Sequence, residues 1–332
     1  MNLSDVTIVI ELVKASPRAG TGYPLIFVPS SETAVAYKEV SSLAEVTEAG
    51  FTAESEVYKA ASLLFMQTNA PSTIAVCATT EDATTGLATV LNEGWRQLIV
   101  IGDDVESVSD YIEASGKRAV YFAHADKAGY ATLASAIEGN ERTVLFVYDS
   151  TDVATPEAAL VGATAGMDAG SFTYKNLILK GVTPQAFTAS ELKAMHEAGA
   201  ITVVRKAGDI VTSEGLTLSG EYIDIVDSKD YIIEQIEFQT QKLMNRLPKL
   251  PYDDTGIASL ENVTYGVLKD AAGKGMIAYD VDAKEYMYNV NFGKRAECAS
   301  ADISTRHYAL GRFSFTLAGA IHTAKITGEI VA

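Results

Sequence analysis

Apolar and polar positions along this chain fall into alternating short blocks, and the blocks change character once. Residues 5–13, DVTIVIELV, are apolar and β-branched and predict a strand. KASPRAGTGYP comes next, a connector punctuated by proline and glycine. From Leu25 onward, short apolar runs take turns with stretches of helical spacing. LIFV (25–28), STIAVCA (72–78), QLIVI (97–101), 118–123, TVLFVY (143–148), NLILK (176–180) and ITVVRK (201–206) predict strands. Between them, 41–49, 54–67, 83–93, 105–114, 126–138, 156–166 and 190–198 predict helices. In the second of these Val57, Ala60, Ala61, Leu64 and Phe65 recur at helical period. Strands separated in this way imply βαβ units, hence an α/β domain with a largely parallel sheet covered on both faces.

After about Gly208 the pattern shifts. Segments 209–213 and 216–218 predict a hairpin. A long helix is expected over 228–247, with Ile232, Ile233, Ile236, Leu243, Met244 and Leu247 on its apolar side and Pro248 and Pro251 ending it. A second helix is expected over 257–272. Then come β-type runs: GMIAYDV, EYMYNVNF, HYALGRFSFTL and AIHTAKITGEIV. Tyr286, Tyr288, Val290 and Phe292 alternate at period two. This half reads as α+β. No internal repeat or low-complexity tract interrupts either part.

Charge adds a second division. The 332 residues carry a formal net charge of −17, which argues against nucleic acid and anionic membranes as partners. Residues 1–235 hold 15 basic and 32 acidic side chains, whereas residues 236–332 hold 11 of each. One part is strongly acidic and the other balanced. The opening residues lack a basic n-region and do not read as a signal peptide, and the longest uncharged run, 60–80, is broken by Gln67, Asn69 and Pro71. Cys77 and Cys298 are the only cysteines, too few for a disulfide framework or a zinc site, and read as buried small apolar side chains in a reducing, soluble compartment.

Catalytic constellations are scarce. Asp103 and Asp104 follow a predicted strand, where α/β enzymes keep acidic metal ligands, and His124 follows another. A helix N-cap accounts for the aspartates, and no nucleophile motif accompanies His124. His196, His307 and His322 show no metal-ligand spacing. No cofactor and no metal is expected. An α/β enzyme using Asp103, Asp104 and His124 remains the alternative reading.

The chain ends are more informative. Strands at 5–13 and 320–331 are joined to the rest by flexible connectors, the second through LAGA (317–320). Such strands either pair with their own sheet or add to another chain.

Against this background the sequence resembles the sheath proteins of contractile phage tails and phage-tail-like particles. The resemblance runs through YPLIFV (23–28), EVTEAGFTAESEVYKAASLLFMQTNAPSTIAVCA (45–78), the stretch 174–224 containing GVTPQAFTASEL and SGEYID, and 227–277. In the last, sheaths show an Asp-aromatic helix start, a long helix, a proline-aromatic-Asp-Gly phrase, here PYDDTGI, and a second helix. These are weak motifs in a consistent order. Tyr231 stands where Trp is usual, the strand at 72–78 ends without the family's frequent arginine, and the chain is short for the family.

The resemblance implies an N-terminal arm (1–20), an outer α/β domain (21–221), an inner C-terminal α+β domain (222–318) and a C-terminal arm (319–332). It implies a structural subunit without enzymatic activity, which polymerises helically around a tail tube and contracts to drive that tube through a cell envelope. Strands bearing Val6, Ile8, Ile10, Lys325, Ile326 and Ile330 would add to neighbouring copies, with Gly20, Gly22 and Gly319 as hinges. Expected partners are other copies of the chain, the tail tube protein, and baseplate and tail terminator proteins, with no nucleic acid and no membrane insertion. The expected location is a virion tail or tail-like particle assembled in the bacterial cytoplasm. Lys242, Arg246 and Lys249, spaced by four and three, are the expected tube-facing stripe. A tail-tube or other non-sheath virion component is a third reading.

Overall fold

The computed structural model describes residues 22–102, 105–149 and 151–323. Its larger part is built on β1 (Tyr23–Val28), β2 (Val35–Val40), β3 (Ile74–Ala78), β4 (Trp95–Val100), β5 (Val120–Ala125), β6 (Thr143–Val147), β7 (Ala200–Lys206) and β8 (Asp209–Thr212). They form one eight-stranded sheet in the order β2-β3-β1-β4-β5-β6-β7-β8. Neighbours from β3 through β7 run parallel, while β2 and β8 close the two edges antiparallel. Every residue of β3, β4 and β6 is buried, as expected of strands covered on both faces.

Alternate strand residues feed two separate cores. Ile26, Val76, Ile99 and Phe122 point to the face covered by α2 (Glu56–Phe65) and α6 (Glu157–Thr164). Leu25, Cys77, Leu98 and Tyr121 point to the other, covered by α3 (Ala83–Val90), α4 (Val105–Ala114), α5 (Tyr130–Ala136) and α7 (Ala189–Glu197). The helices start where side-chain caps allow. Ser42 caps α1 (Leu43–Glu48), Ser55 caps α2, Asp82 caps α3, and Thr188 with Glu191 forms a full capping box on α7. Burial pushes the Cys77 thiol up, so this cysteine behaves as a small apolar side chain.

The remainder has its own core. In α8 (Ile223–Arg246) Tyr231, Ile232 and Ile236 pack on Val267, Leu268 and Ala271 of α9 (Asp254–Gly273). Beyond α9 lie β9 (Tyr279–Asp280), β10 (Glu285–Tyr286), β11 (Tyr288–Phe292), α10 (Ser300–Thr305) and β12 (Gly311–Phe315). In the antiparallel β11–β12 ladder, Tyr288 faces Phe315 and Val290 faces Phe313, so these four side chains share one face. Tyr288, Val290 and Phe315 pack against the core of α8 and α9.

Several expectations change. NLILK forms no strand: Ile178 makes a single bridge to Val211, and the segment runs beside β8 as an irregular edge. The hairpin is formed by β7 and β8, not by 209–213 with 216–218. Its turn places Ala207 and Gly208 at φ 49° and 99°, the left-handed geometry of a tight hairpin. The long helix begins at Ile223, so Asp230 and Tyr231 lie inside it rather than at its start. EYMYNVNF breaks at Met287, β10 pairing with β9 and β11 with β12. The periodicity gave no sign of β2 or α10. The segment 5–13, expected as a strand, and most of 320–331 lie outside the described residues.

Candidate functional site

The start of α8 enters the sheet core through Ile223 and Val226, and the helix beyond meets the sheet through charge. Arg96 stands on β4 near its amino end, and Arg118 and Arg142 immediately precede the buried stretches of β5 and β6. Because these strands are adjacent and parallel, the three guanidinium groups gather along the amino edge of the sheet. Opposite them, α8 presents Asp227, Asp230, Glu234 and Glu237, spaced three, four and three, so all four lie on one helical face.

The pairing is specific. Arg142 grips Asp230 bidentately at 2.7 and 3.0 Å. Arg118 grips Glu237 the same way at 2.8 and 2.7 Å. Arg96 donates to Asp227 at 2.9 Å, with Asp230 at 3.7 Å and Glu234 at 3.9 Å. The buried Tyr174 hydroxyl donates to the other Asp227 oxygen at 2.8 Å. At the margin, Lys229 pairs with Glu141. Burial alone would raise the Asp230 carboxyl, but the Arg142 bond and the charges of Arg96 and Arg142 outweigh it and hold it below the usual range. Arg96 likewise loses hydration on burial, and Asp227, Glu234 and Asp230 more than compensate, keeping it charged. The outcome is a desolvated, multiply paired clamp that fixes α8, and through it the third core, on the sheet.

Sequence reasoning missed this clamp. Its signal was present: acidic residues at 227, 230, 234 and 237, and an arginine ahead of each of three consecutive strand cores. Neither half declares its partner without the sheet order.

The phrase PYDDTGI has a local explanation. Asp253 caps α9 by accepting from the amides of Thr255 and Gly256 at 3.0 and 3.1 Å. A Cβ on Gly256 would stand 1.9 Å from the Pro251 carbonyl oxygen, so only glycine fits.

Lys242 and Arg246 are exposed on the last turns of α8, one turn apart. Lys242 lies 5.5 Å from the centre of the Phe238 ring. Lys249 is also exposed but lies past the helix end, so helical spacing does not fix its direction. Among the described residues none of the three has an ion-pair partner. Gly22 packs against β4, where an added Cβ would meet the Arg96 Cβ at 2.6 Å. Gly319 takes φ +58° in open space. Gly20 and the arm residues Val6, Ile8, Ile10, Lys325, Ile326 and Ile330 lie outside the described residues, as do Asp103 and Asp104.

His124 lies at the carboxyl end of β5, in a cleft of about 320 Å³. Its Nδ1 stands 2.8 Å from the Glu157 carboxylate, which is 1% exposed. A carboxylate-oriented imidazole can move protons, but no serine, threonine or cysteine lines the cleft among the described residues. No group of three metal-ligating side chains occurs among the described residues either. No described helix is long and apolar enough to cross a membrane.

No protein-family model and no curated protein matches this chain. Solved structures do. The PVC sheath complex of an extracellular contractile injection system, in its contracted state, superposes with a TM-score of 0.75 at 12% identity, over 98% of each chain. The contracted helical sheath of the anti-feeding prophage gives 0.69 at 16% identity over 99% of each chain. A sheath tail protein from Desulfitobacterium hafniense gives 0.60 at 9% identity, over 85% of this chain and 93% of that one. At such identities the likeness is one of fold, and over nearly its whole length this chain has the fold of the contractile-tail sheath proteins.

Proposed function

We propose that this chain is the structural subunit of a contractile sheath, polymerising helically around a tail tube and contracting to drive it through a cell envelope. One observation carries the reading: the whole chain, not a single domain, follows the fold of sheath subunits solved in the contracted state. In this reading residues 21–221 form the outer domain and 222–318 the inner domain, and the particle is a phage tail or tail-like assembly made in the bacterial cytoplasm. The function is mechanical and involves no catalytic step.

The physical properties of the chain fit that task. The sheet core takes in Ile223 and Val226 from the start of α8, and the arginine clamp ties the rest of that helix to the sheet, so a subunit can rotate without deforming. Among the described residues, β11 and β12 pair only with each other, leaving an outer edge on each strand. Phe313, on the apolar face of that ladder, is 42% exposed. An added strand of alternating apolar residues would satisfy the edge and cover the ring. The arm strands bearing Val6, Ile8 and Ile10, or Lys325, Ile326 and Ile330, from neighbouring copies have that pattern. Partners are then other copies of the chain, the tube protein, and the baseplate and terminator proteins at the ends of the tail.

Negative-stain microscopy of the purified protein tests the reading. Helical tubes or rings are expected, and deletion of residues 1–16 should leave a folded monomer that does not polymerise. A wild-type protein that stays in small discrete oligomers at every concentration would overturn it.

A further inference from the structure

Beyond β12 the chain runs back along the body. The Ala278 amide donates to Thr316, the Ala318 amide donates to Met276, and Ile277 bridges Leu317. Gly319 then bends the backbone in the left-handed region. The two residues at 321 and 322 differ sharply in exposure: Ile321 is 90% exposed, whereas the His322 side chain is only 11% exposed.

The His322 ring is inserted among three separate segments. Its Nδ1 lies 2.6 Å from Glu214 Oε1, a close polar contact rather than an aligned hydrogen bond. Its Nε2 lies 2.9 Å from Thr173 Oγ1. Tyr222, the residue before α8, meets it edge-on, with centroids 4.6 Å apart and planes at 78°. Glu214 is itself fixed, since its second oxygen accepts from Lys175 Nζ at 2.5 Å. The connector after α6, the connector after β8 and the start of α8 thus all close on one imidazole. A side chain on an extended strap has no packing reason to bury there unless those contacts hold it.

We propose that His322 is the anchor that fastens the root of the C-terminal segment to its own subunit, with Glu214 as the polar partner of its Nδ1 and Thr173 and Tyr222 as its walls. Leu317 to His322 is then a strap belonging to the body, and the Gly319 bend is a fixed corner within it rather than a pivot. The anchor rests on contacts within one chain. Its role in aiming a donated strand rests on the sheath reading.

Hydrogen–deuterium exchange on the full chain tests it, comparing wild type, His322→Ala, Glu214→Gln and Ile321→Ala in the same assembly state, separated by size. Loss of the ring should speed exchange of the 316–323 amides about tenfold or more, while β4 to β7 keep their protection. Glu214→Gln should give a smaller increase in the same peptide, and Ile321→Ala no change. Unchanged exchange at 316–323 in His322→Ala would overturn the anchor, as would equal acceleration throughout the sheet. Wild-type protection at 316–323 in a protein that never polymerises would support the anchor and overturn the sheath reading instead.

Discussion

Arg142 holds Asp230 through two hydrogen bonds of 2.7 and 3.0 Å, and the carboxylate it grips is 1% exposed. The two residues are 88 positions apart, one at the amino edge of the sheet and the other inside the long helix. A bidentate arginine–carboxylate pair of this kind fixes direction as well as distance.

Removing one member should therefore cost more than a surface pair would. Asp230→Ala leaves Arg142 without its bidentate partner and Arg96 with one carboxylate fewer, and a loss of ~3–5 kcal/mol is expected. Glu237→Ala, at a more accessible rung, should cost less. Urea unfolding of the three proteins checks the order; equal midpoints for Asp230→Ala and wild type would show that the clamp does not hold α8.

The same pair predicts an acid response. The Asp230 carboxyl titrates below its unfolded value of ~3.9. Its contribution is therefore fully present above about pH 4 and lost as pH falls through the lowered folded value. In thermal melts from pH 6 down to pH 2, the gap between wild type and Asp230→Asn should narrow with acidification. A gap that stays constant would mean the carboxylate gains nothing from its charge.

Gly256 offers a test free of electrostatics. Its missing Cβ leaves room for the Pro251 carbonyl oxygen, which a methyl group would meet at 1.9 Å. Gly256→Ala should destabilise by roughly 1–3 kcal/mol despite a better helix former being introduced. A neutral or stabilising result would show that the Pro248–Pro251 turn yields easily.

Lys242 and Arg246 are the pair we propose faces the tube. Both are exposed, so Lys242→Glu with Arg246→Glu should leave thermal stability within about 0.5 kcal/mol. If this end of α8 docks on an acidic tube surface, the double variant should fail to co-assemble on tubes while still forming sheath alone. Normal extended tails from the variant would remove the stripe from the tube interface.

Much of the architecture could be read from local pattern. The apolar runs that became β3, β4 and β6 are continuous because both faces of each strand are covered, and the caps at Ser55, Asp82 and Thr188 stand where helical spacing begins. NLILK misled because its β-branched and apolar residues suit a strand, yet only Ile178 finds a bridge at the β8 edge. β2 was missed for the opposite reason: as an edge strand it is partly exposed, and Val35, Tyr37, Lys38 and Glu39 show no clean run. The clamp was invisible in a different way. Asp227, Asp230, Glu234 and Glu237 look like a solvated acidic face until Arg96, Arg118 and Arg142 are brought alongside.

Strand and helix periods, caps and turns were fixed by neighbours within a few positions, where sterics and hydrogen bonding act directly. The acidic first part and the balanced second follow from composition alone. The order of strands, which charges are buried together, and the place where His322 comes to rest depend on residues far apart in the chain. Their contacts form only when the cores of the sheet and of α8 and α9 exclude water, and that exclusion gives the same carboxylates that looked like surface charge their structural role.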